Sequence, residues 1–229
     1  ADWADDETDE AEADEPLTWE TIPTNKSIAE AVYDSAVVHQ CIRQGEFVGM
    51  VTHSGTGNHG GGLQKRKGRV WADPCYYNYR LASSLFGGTP VGVELACDTF
   101  STETVFGEEM GELFGQLDPV EDAPAIDALA VVHGEPDGRD SDDGAVTVAL
   151  VHRDARSDAI DVDLDLGAVG SVGEEATVQV LTADAMSARN TFEEPQAVTP
   201  EEREVPVENG TLSLSLSPFS VAYVTVPTE

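Results

Sequence analysis

From Ser27 onward, apolar and small residues recur at helical spacing: Ile28, Ala31, Val32, Ser35, Val38, His39 and Ile42 fall on one side of a 3.6-residue period. Ser27 followed by Glu30 spells an S-x-x-E capping box, and Gly45 ends the run, so a helix is expected over 27–44. The next segment, F-V-G-M-V-T-H over 47–53, reads as a short buried strand, and 54–68 as a Gly-rich loop. Helix, strand and loop in that order match one βα step of a parallel α/β structure. A second helix is expected over 74–85, marked by Tyr77, Leu81 and Leu85 and stopped by Gly87-Gly88.

Beyond Gly88 the period changes to two. Residues 91–97, 128–132, 146–152, 160–166, 177–181, 212–216 and 221–226 alternate or run apolar between Gly, Pro and Asp turns, which predicts at least seven short strands in an antiparallel sandwich. Asn209-Gly210, between V-P-V and L-S-L-S-L, is the clearest hairpin signal. Residues 1–16, 103–124 and 135–144 are acidic and patternless and are expected to be loops. The division between the two grammars falls at 86/87, giving an α/β segment over 1–86 and a β-sandwich over 87–229. One βα step cannot close a barrel, so the first segment should leave an apolar face uncovered unless more chain precedes it.

The charge balance sharpens this picture. With 44 Asp+Glu against 12 Lys+Arg the formal net charge is −32, and the acidic residues, such as Asp161, Asp163 and Asp165, are spread as a coat rather than a patch. Self-repulsion of this size favours a protein that works where salt screens it, and a halophilic cytoplasm is the expected location. The same field repels phosphates and anionic lipid, and only Lys65, Arg66, Lys67 and Arg69 oppose it, so nucleic acid and membrane are not expected partners. No apolar stretch reaches the roughly 20 residues of a transmembrane helix, and no export signal opens the chain. Cys41, Cys75 and Cys97 are widely spaced and are expected to be free thiols. The start at Ala-Asp-Trp without Met hints at truncation, although Met removal before Ala would look the same.

Candidate chemistry concentrates in H-S-G-T-G-N-H-G-G-G from His53. His53, Asn58 and His59 are neutral, directional hydrogen-bonding groups suited to sugar hydroxyls, and the glycines let backbone approach a ligand; the alternative is a flexible loop with polar decoration. His53 and His59 as metal ligands match no standard zinc spacing and have no third partner placed by the sequence, so neither a metal nor a cofactor is expected. H-G-G-G also occurs in lipase oxyanion loops, but no G-x-S-x-G accompanies it, and no phosphate-loop motif is present. With 44 acidic residues, composition alone nominates no glycosidase carboxylate pair, so no catalytic residue is assigned. Trp3, Trp19 and Trp71 are candidates for stacking on sugar rings, with packing roles as the commoner case.

The order of helix, strand, H-S-G-T-G-N-H-G-G-G-L-Q-K, R-V-W-A-D-P-C-Y-Y-N-Y and G-G-T-P-V-G-V-E-L-A resembles the family 51 α-L-arabinofuranosidases at the end of their barrel and the start of their sandwich. T-V-A-L-V-H-R-D, N-T-F-E-E-P from Asn190 and the terminal L-S-L-S-P-F-S-V-A-Y-V-T-V extend the match over nearly the whole chain. The resemblance implies a mostly β fold: a C-terminal antiparallel β-sandwich, jelly-roll-like, preceded by the last α/β segment of a (β/α)8 barrel. It implies a parent enzyme that releases terminal arabinofuranosyl groups with retention from arabinose-containing oligosaccharides or polysaccharides. If Trp3 is the second Trp of the family's E-W-N-x-W motif, the nucleophilic Glu lies just upstream of Ala1 and the acid/base Glu further upstream. Partners would then be the sugar, the missing N-terminal barrel portion and, as often in the family, further copies of the chain. Trp3, His53, Asn58 and His59 are the substrate-binding candidates. A Gln stands near the His53 position in better-known relatives, so this chain departs from the pattern there. The competing function class is a non-catalytic carbohydrate-binding or accessory β-sandwich protein.

Overall fold

A computed structural model describes residues 18–19, 21–53, 57–59, 62–103, 106–116, 118–134 and 144–228. Trp3, the whole of the first acidic run and most of the acidic loop after His133 lie outside the described residues. In chain order the elements are α1 (Ile28–Arg43), β1 (Leu63–Arg66), β2 (Arg69–Ala72), α2 (Pro74–Ala82), β3 (Thr89–Val91), β4 (Thr99–Thr102), α3 (Glu108–Phe114), β5 (Val120–Pro124), β6 (Ile126–His133), β7 (Ala145–His152), β8 (Ile160–Asp165), β9 (Glu175–Leu181), β10 (Glu201–Pro206), β11 (Thr211–Leu216) and β12 (Val221–Pro227).

A six-stranded antiparallel sheet, ordered β10-β9-β12-β7-β6-β3, forms the middle layer. Its two faces bury different sets of side chains because strand neighbours alternate. Val146, Val148, Leu150, Ala222, Val224 and Val226 point toward Leu212, Leu214 and Leu216 of the β8–β11 ribbon. Leu129, Val131, Ala149, Val151, Val221 and Tyr223 point the other way, onto Ile28 and Ala31 of α1 and Leu81 and Ala82 of α2. Burial on both faces explains why β7 and β12 are apolar at nearly every position, while the Leu-Ser alternation of β11 marks a strand with one wet face. Ser213 and Asp163 meet on that wet face, with Ser213 Oγ donating to Asp163 Oδ1 at 2.5 Å. The ribbon shares no ladder with the larger sheet among the described residues, so its buried leucines, each contributing about 2 kcal/mol, hold the layers together.

The structure departs from the sequence pattern at six places. Residues 47–53 form no strand: Phe47 is 88% exposed and Met50 80%. A parallel strand is defined by its neighbours, and among the described residues none lies beside this segment. The loop expected over 54–68 instead contains β1, which pairs with β2 around Lys67-Gly68, both at positive φ.

Of the strand expected over 91–97 only Val91, the last residue of β3, pairs, opposite Ala130; two residues further along β6 the Ala128 carbonyl accepts a hydrogen bond from Arg43 at 2.7 Å. The capping box does not form, because Ser27 Oγ donates to the Thr24 carbonyl while the Ile28 and Ala29 amides bond to the carbonyls of Ala188 and Met186. Asn209-Gly210 does make a tight turn, with φ of 53° and 79°, but β10 pairs with β9 and β11 with β8, so the turn carries the chain from one layer to the other. The acidic stretch 103–124 also gains structure: α3 forms around buried Met110, and β5 pairs with β4.

Candidate functional site

Polar side chains converge where α1 meets the start of α2. Pro74 opens α2 and puts Cys75 in its first turn, with Asn78 one turn further along the buried face. From α1, Asp34 and Ser35 are buried toward α2. Ser35 Oγ donates to Asn78 Oδ1 at 2.6 Å and Tyr223 Oη donates to the same oxygen at 3.1 Å, which locks both helices onto β12. Beside this clamp the Cys75 thiol donates to Asp34 Oδ2. His53 closes the group: its Nδ1 is 3.5 Å from Asp34 Oδ1 and its Nε2 is 3.7 Å from Cys75 Sγ, and its ring centroid lies 5.2 Å from that of Tyr79.

Burial dominates the electrostatics here. It raises the Asp34 carboxyl above its ordinary range, partly offset by the Cys75 hydrogen bond and the charge of His53. It raises Glu30, one turn earlier on α1, with Asp34 adding repulsion. Cys75 is pushed far above the usual thiol range by burial and then by Asp34, which accepts its proton and repels a thiolate. The sequence Cys75 Sγ, His53 Nε2, His53 Nδ1, Asp34 Oδ1 has the order of a nucleophilic triad, but burial and the hydrogen bond to Asp34 favour the thiol over the thiolate that such chemistry needs.

The other loop candidates make structural contacts. Asn58 adopts the left-handed conformation at φ 58°, its amide donates to the Leu63 carbonyl, and its Oδ1 accepts from the Lys65 amide at 2.6 Å. His59 has an exposed side chain, and its carbonyl accepts from Gln64 Nε2. Gln64 also donates to Asp73 Oδ2 at 2.5 Å, and burial lifts the Asp73 carboxyl to about 6 despite that bond. Trp71, in β2, sets its ring edge against Phe192 at 6.0 Å, and the Arg69 guanidinium covers the same phenyl ring at 5.0 Å.

Asn190 is fully paired: its Nδ2 donates to the carbonyls of Ala72 and Val198, and its Oδ1 accepts from the Val198 amide. The N-T-F-E-E-P motif is therefore a bracket that fastens the β1–β2 hairpin. An open groove of about 460 Å³ runs beside β3, lined by Arg43, Asp127, Val91, Val93 and Leu129; His53, Asn58 and His59 do not line it.

Of the site, sequence reasoning nominated His53 but not Asp34, Cys75 or Tyr79. Two signals were available: Glu30 and Asp34 stand four residues apart on one helix, and D-P-C places a thiol in a helix's first turn.

The fold has close counterparts. The α-L-arabinofuranosidase of Thermotoga maritima in complex with arabinose superimposes with a TM-score of 0.70 at 21% identity, over 93% of this chain and 39% of that one. The thermostable family 51 enzyme of Thermotoga petrophila gives 0.71 at 23% identity, over 87% and 38%. The family 51 enzyme of Xanthomonas axonopodis pv. citri gives 0.67 at 21% identity, over 92% and 38%. The chain thus spans about two fifths of the length of these solved proteins. No curated protein sequence matches it. The family model described as the α-L-arabinofuranosidase C-terminal domain matches residues 3–220, and the chain belongs to that family.

Proposed function

We propose that the chain is the C-terminal part of a family 51 α-L-arabinofuranosidase that removes terminal arabinofuranosyl groups from arabinose-containing polysaccharides or oligosaccharides. The observation that carries this reading is the family match across 3–220, together with a fold shared along most of the chain with solved arabinofuranosidases. Hydrolysis with retention needs one carboxyl to protonate the leaving oxygen and a second, about 5–5.5 Å away, to form and release an arabinosyl-enzyme intermediate. We assign neither role to a residue of this chain.

In this reading 1–86 is the closing segment of a (β/α)8 barrel and 87–229 the sandwich that buttresses it. The exposed side chains of Phe47, Met50 and Val51 support that division, since a barrel strand packed between neighbours would bury them. Trp3, His53, Asn58 and His59 are then the residues of this chain nearest the sugar, with Trp3 as a stacking surface and the others as hydrogen-bonding groups. The acid-rich surface suits a salt-rich cytoplasm.

The test is an assay of the 229-residue chain on nitrophenyl arabinofuranoside in molar salt, alone and joined to an N-terminal barrel portion from a family 51 enzyme. Turnover is expected from the joined protein only. Sustained turnover by the chain alone would overturn the assignment of the two acids. Tight binding of arabino-oligosaccharides by the chain alone, followed by Trp fluorescence and abolished by Trp3→Ala, would point instead to an accessory sugar-binding module.

A further inference from the structure

We propose that Asp34, His53 and Cys75 form a binding site for a zinc-type divalent cation. The side chains come from α1, from the segment after α1 and from the first turn of α2, and their oxygen, nitrogen and sulfur ligand atoms all lie within 4.8 Å of one another. Atoms bound tetrahedrally to one ion at about 2.0–2.3 Å stand roughly 3.3–3.8 Å apart. Cys75 Sγ to His53 Nε2, at 3.7 Å, already has that separation. The thiol and Asp34 Oδ2 are closer, as hydrogen-bond partners. As the Sγ–metal bond forms, the thiol proton leaves for solvent and the two atoms move apart to the roughly 3.3–3.8 Å that separates neighbouring tetrahedral ligands.

The donor set selects the ion. Thiolate and imidazole exclude magnesium and calcium, which take oxygen ligands, whereas one sulfur, one nitrogen and one carboxylate oxygen suit zinc or cobalt. A thiolate and a carboxylate carry two negative charges, so a divalent cation leaves the cluster neutral, and the −32 charge of the chain draws cations toward it. The Tyr79 ring, tilted at 44° against His53, lies on one side. The inference does not depend on the arabinofuranosidase reading, but it replaces the sugar-binding role of His53, whose two ring nitrogens face Cys75 and Asp34.

The experiment is a titration of the chelator-treated 229-residue chain in high salt with Co²⁺, followed by displacement with Zn²⁺. Expected are saturation at a single equivalent, a thiolate-to-cobalt charge-transfer band, tetrahedral d–d absorption, and loss of both on adding Zn²⁺. Cys75→Ser should remove the charge-transfer band, while Cys41→Ser and Cys97→Ser keep it. Loss of the His53 ligand should weaken binding by more than the roughly 10–100-fold typical of an outer-shell partner. His53→Gln changes a partly exposed side chain and so gives a decision even where Cys75→Ser does not fold. No stoichiometric binding by the folded chain, a charge-transfer band that persists in folded Cys75→Ser, or unchanged affinity in His53→Gln would each overturn the site.

Discussion

His39 has no exposed surface, yet it carries a polar ring into the junction between α1 and the sheet. Its Nδ1–H donates to Asp127 Oδ2 at 2.6 Å, Arg43 donates to the other Asp127 oxygen at 3.0 Å, and the same guanidinium reaches the Ala128 carbonyl. Burial alone would raise the Asp127 carboxyl, but the hydrogen bond and charge of His39, and then of Arg43, outweigh it and hold it below the usual carboxylate range. A carboxyl depressed in the folded state adds stability at pH above its unfolded value of about 3.9, and that stability is lost as pH falls through the folded value. Asp127→Asn should therefore cost about 1–3 kcal/mol near neutrality, with the gap to the parent chain closing at acid pH. Urea denaturation of both chains at neutral and acid pH measures this, and a gap of constant size would rule the ion pair out as its cause. None of this was legible in the sequence, where His39 and Ile42 both simply filled a helical stripe. Asn190, by contrast, stood out within its motif, although only the structure makes it a bracket for backbone carbonyls.

At the scale of elements, what the sequence made legible depended on whether an element's partners leave a periodic imprint on it. The Leu-Ser alternation of β11 and the near-continuous apolar runs of β7 and β12 report one buried face and two, and the structure has both. The start of α1 did not follow its capping signature because the loop carbonyls of Met186 and Ala188, far away in sequence, satisfy its first amides. Residues 47–53 have a strand's composition and, among the described residues, no strand beside them. The Asn209-Gly210 turn shows the limit clearly: local chemistry sets the turn, while tertiary packing decides which sheets the flanking strands join. Gly210 sits at φ 79°, and a Cβ there meets nothing closer than the Gly167 amide at 3.9 Å, so backbone strain alone sets the penalty. Gly210→Ala is expected to cost about 1–2 kcal/mol. A matched Gly45→Ala, at a glycine without positive φ, should stay within about 0.5 kcal/mol, and thermal denaturation of the two variants separates turn strain from loss of glycine as such.

Over the whole molecule, two surface features respond to salt through different physics. The first is the net charge of −32, whose self-repulsion opposes the compact state until counterions screen it. The second is exposed apolar area: Phe47, Met50, Phe86, Tyr33 and Phe114 are each at least 60% exposed. Screening acts early, because the Debye length shrinks from about 10 Å at 0.1 M to about 3 Å at 1 M, and it depends on ionic strength rather than on which anion is present. Strengthened apolar association continues at higher concentration and favours excluded salts such as sulfate. The denaturation midpoint should therefore climb steeply between about 0.1 and 1 M potassium chloride as the repulsion is screened. Self-association, followed by light scattering, should grow only above that range and more in sulfate than in chloride. Replacing Phe47 and Met50 by Ser should suppress the association and leave the early climb unchanged. If the climb instead followed the anion, or vanished with those two side chains, the acid-rich coat would not be what ties this fold to salt.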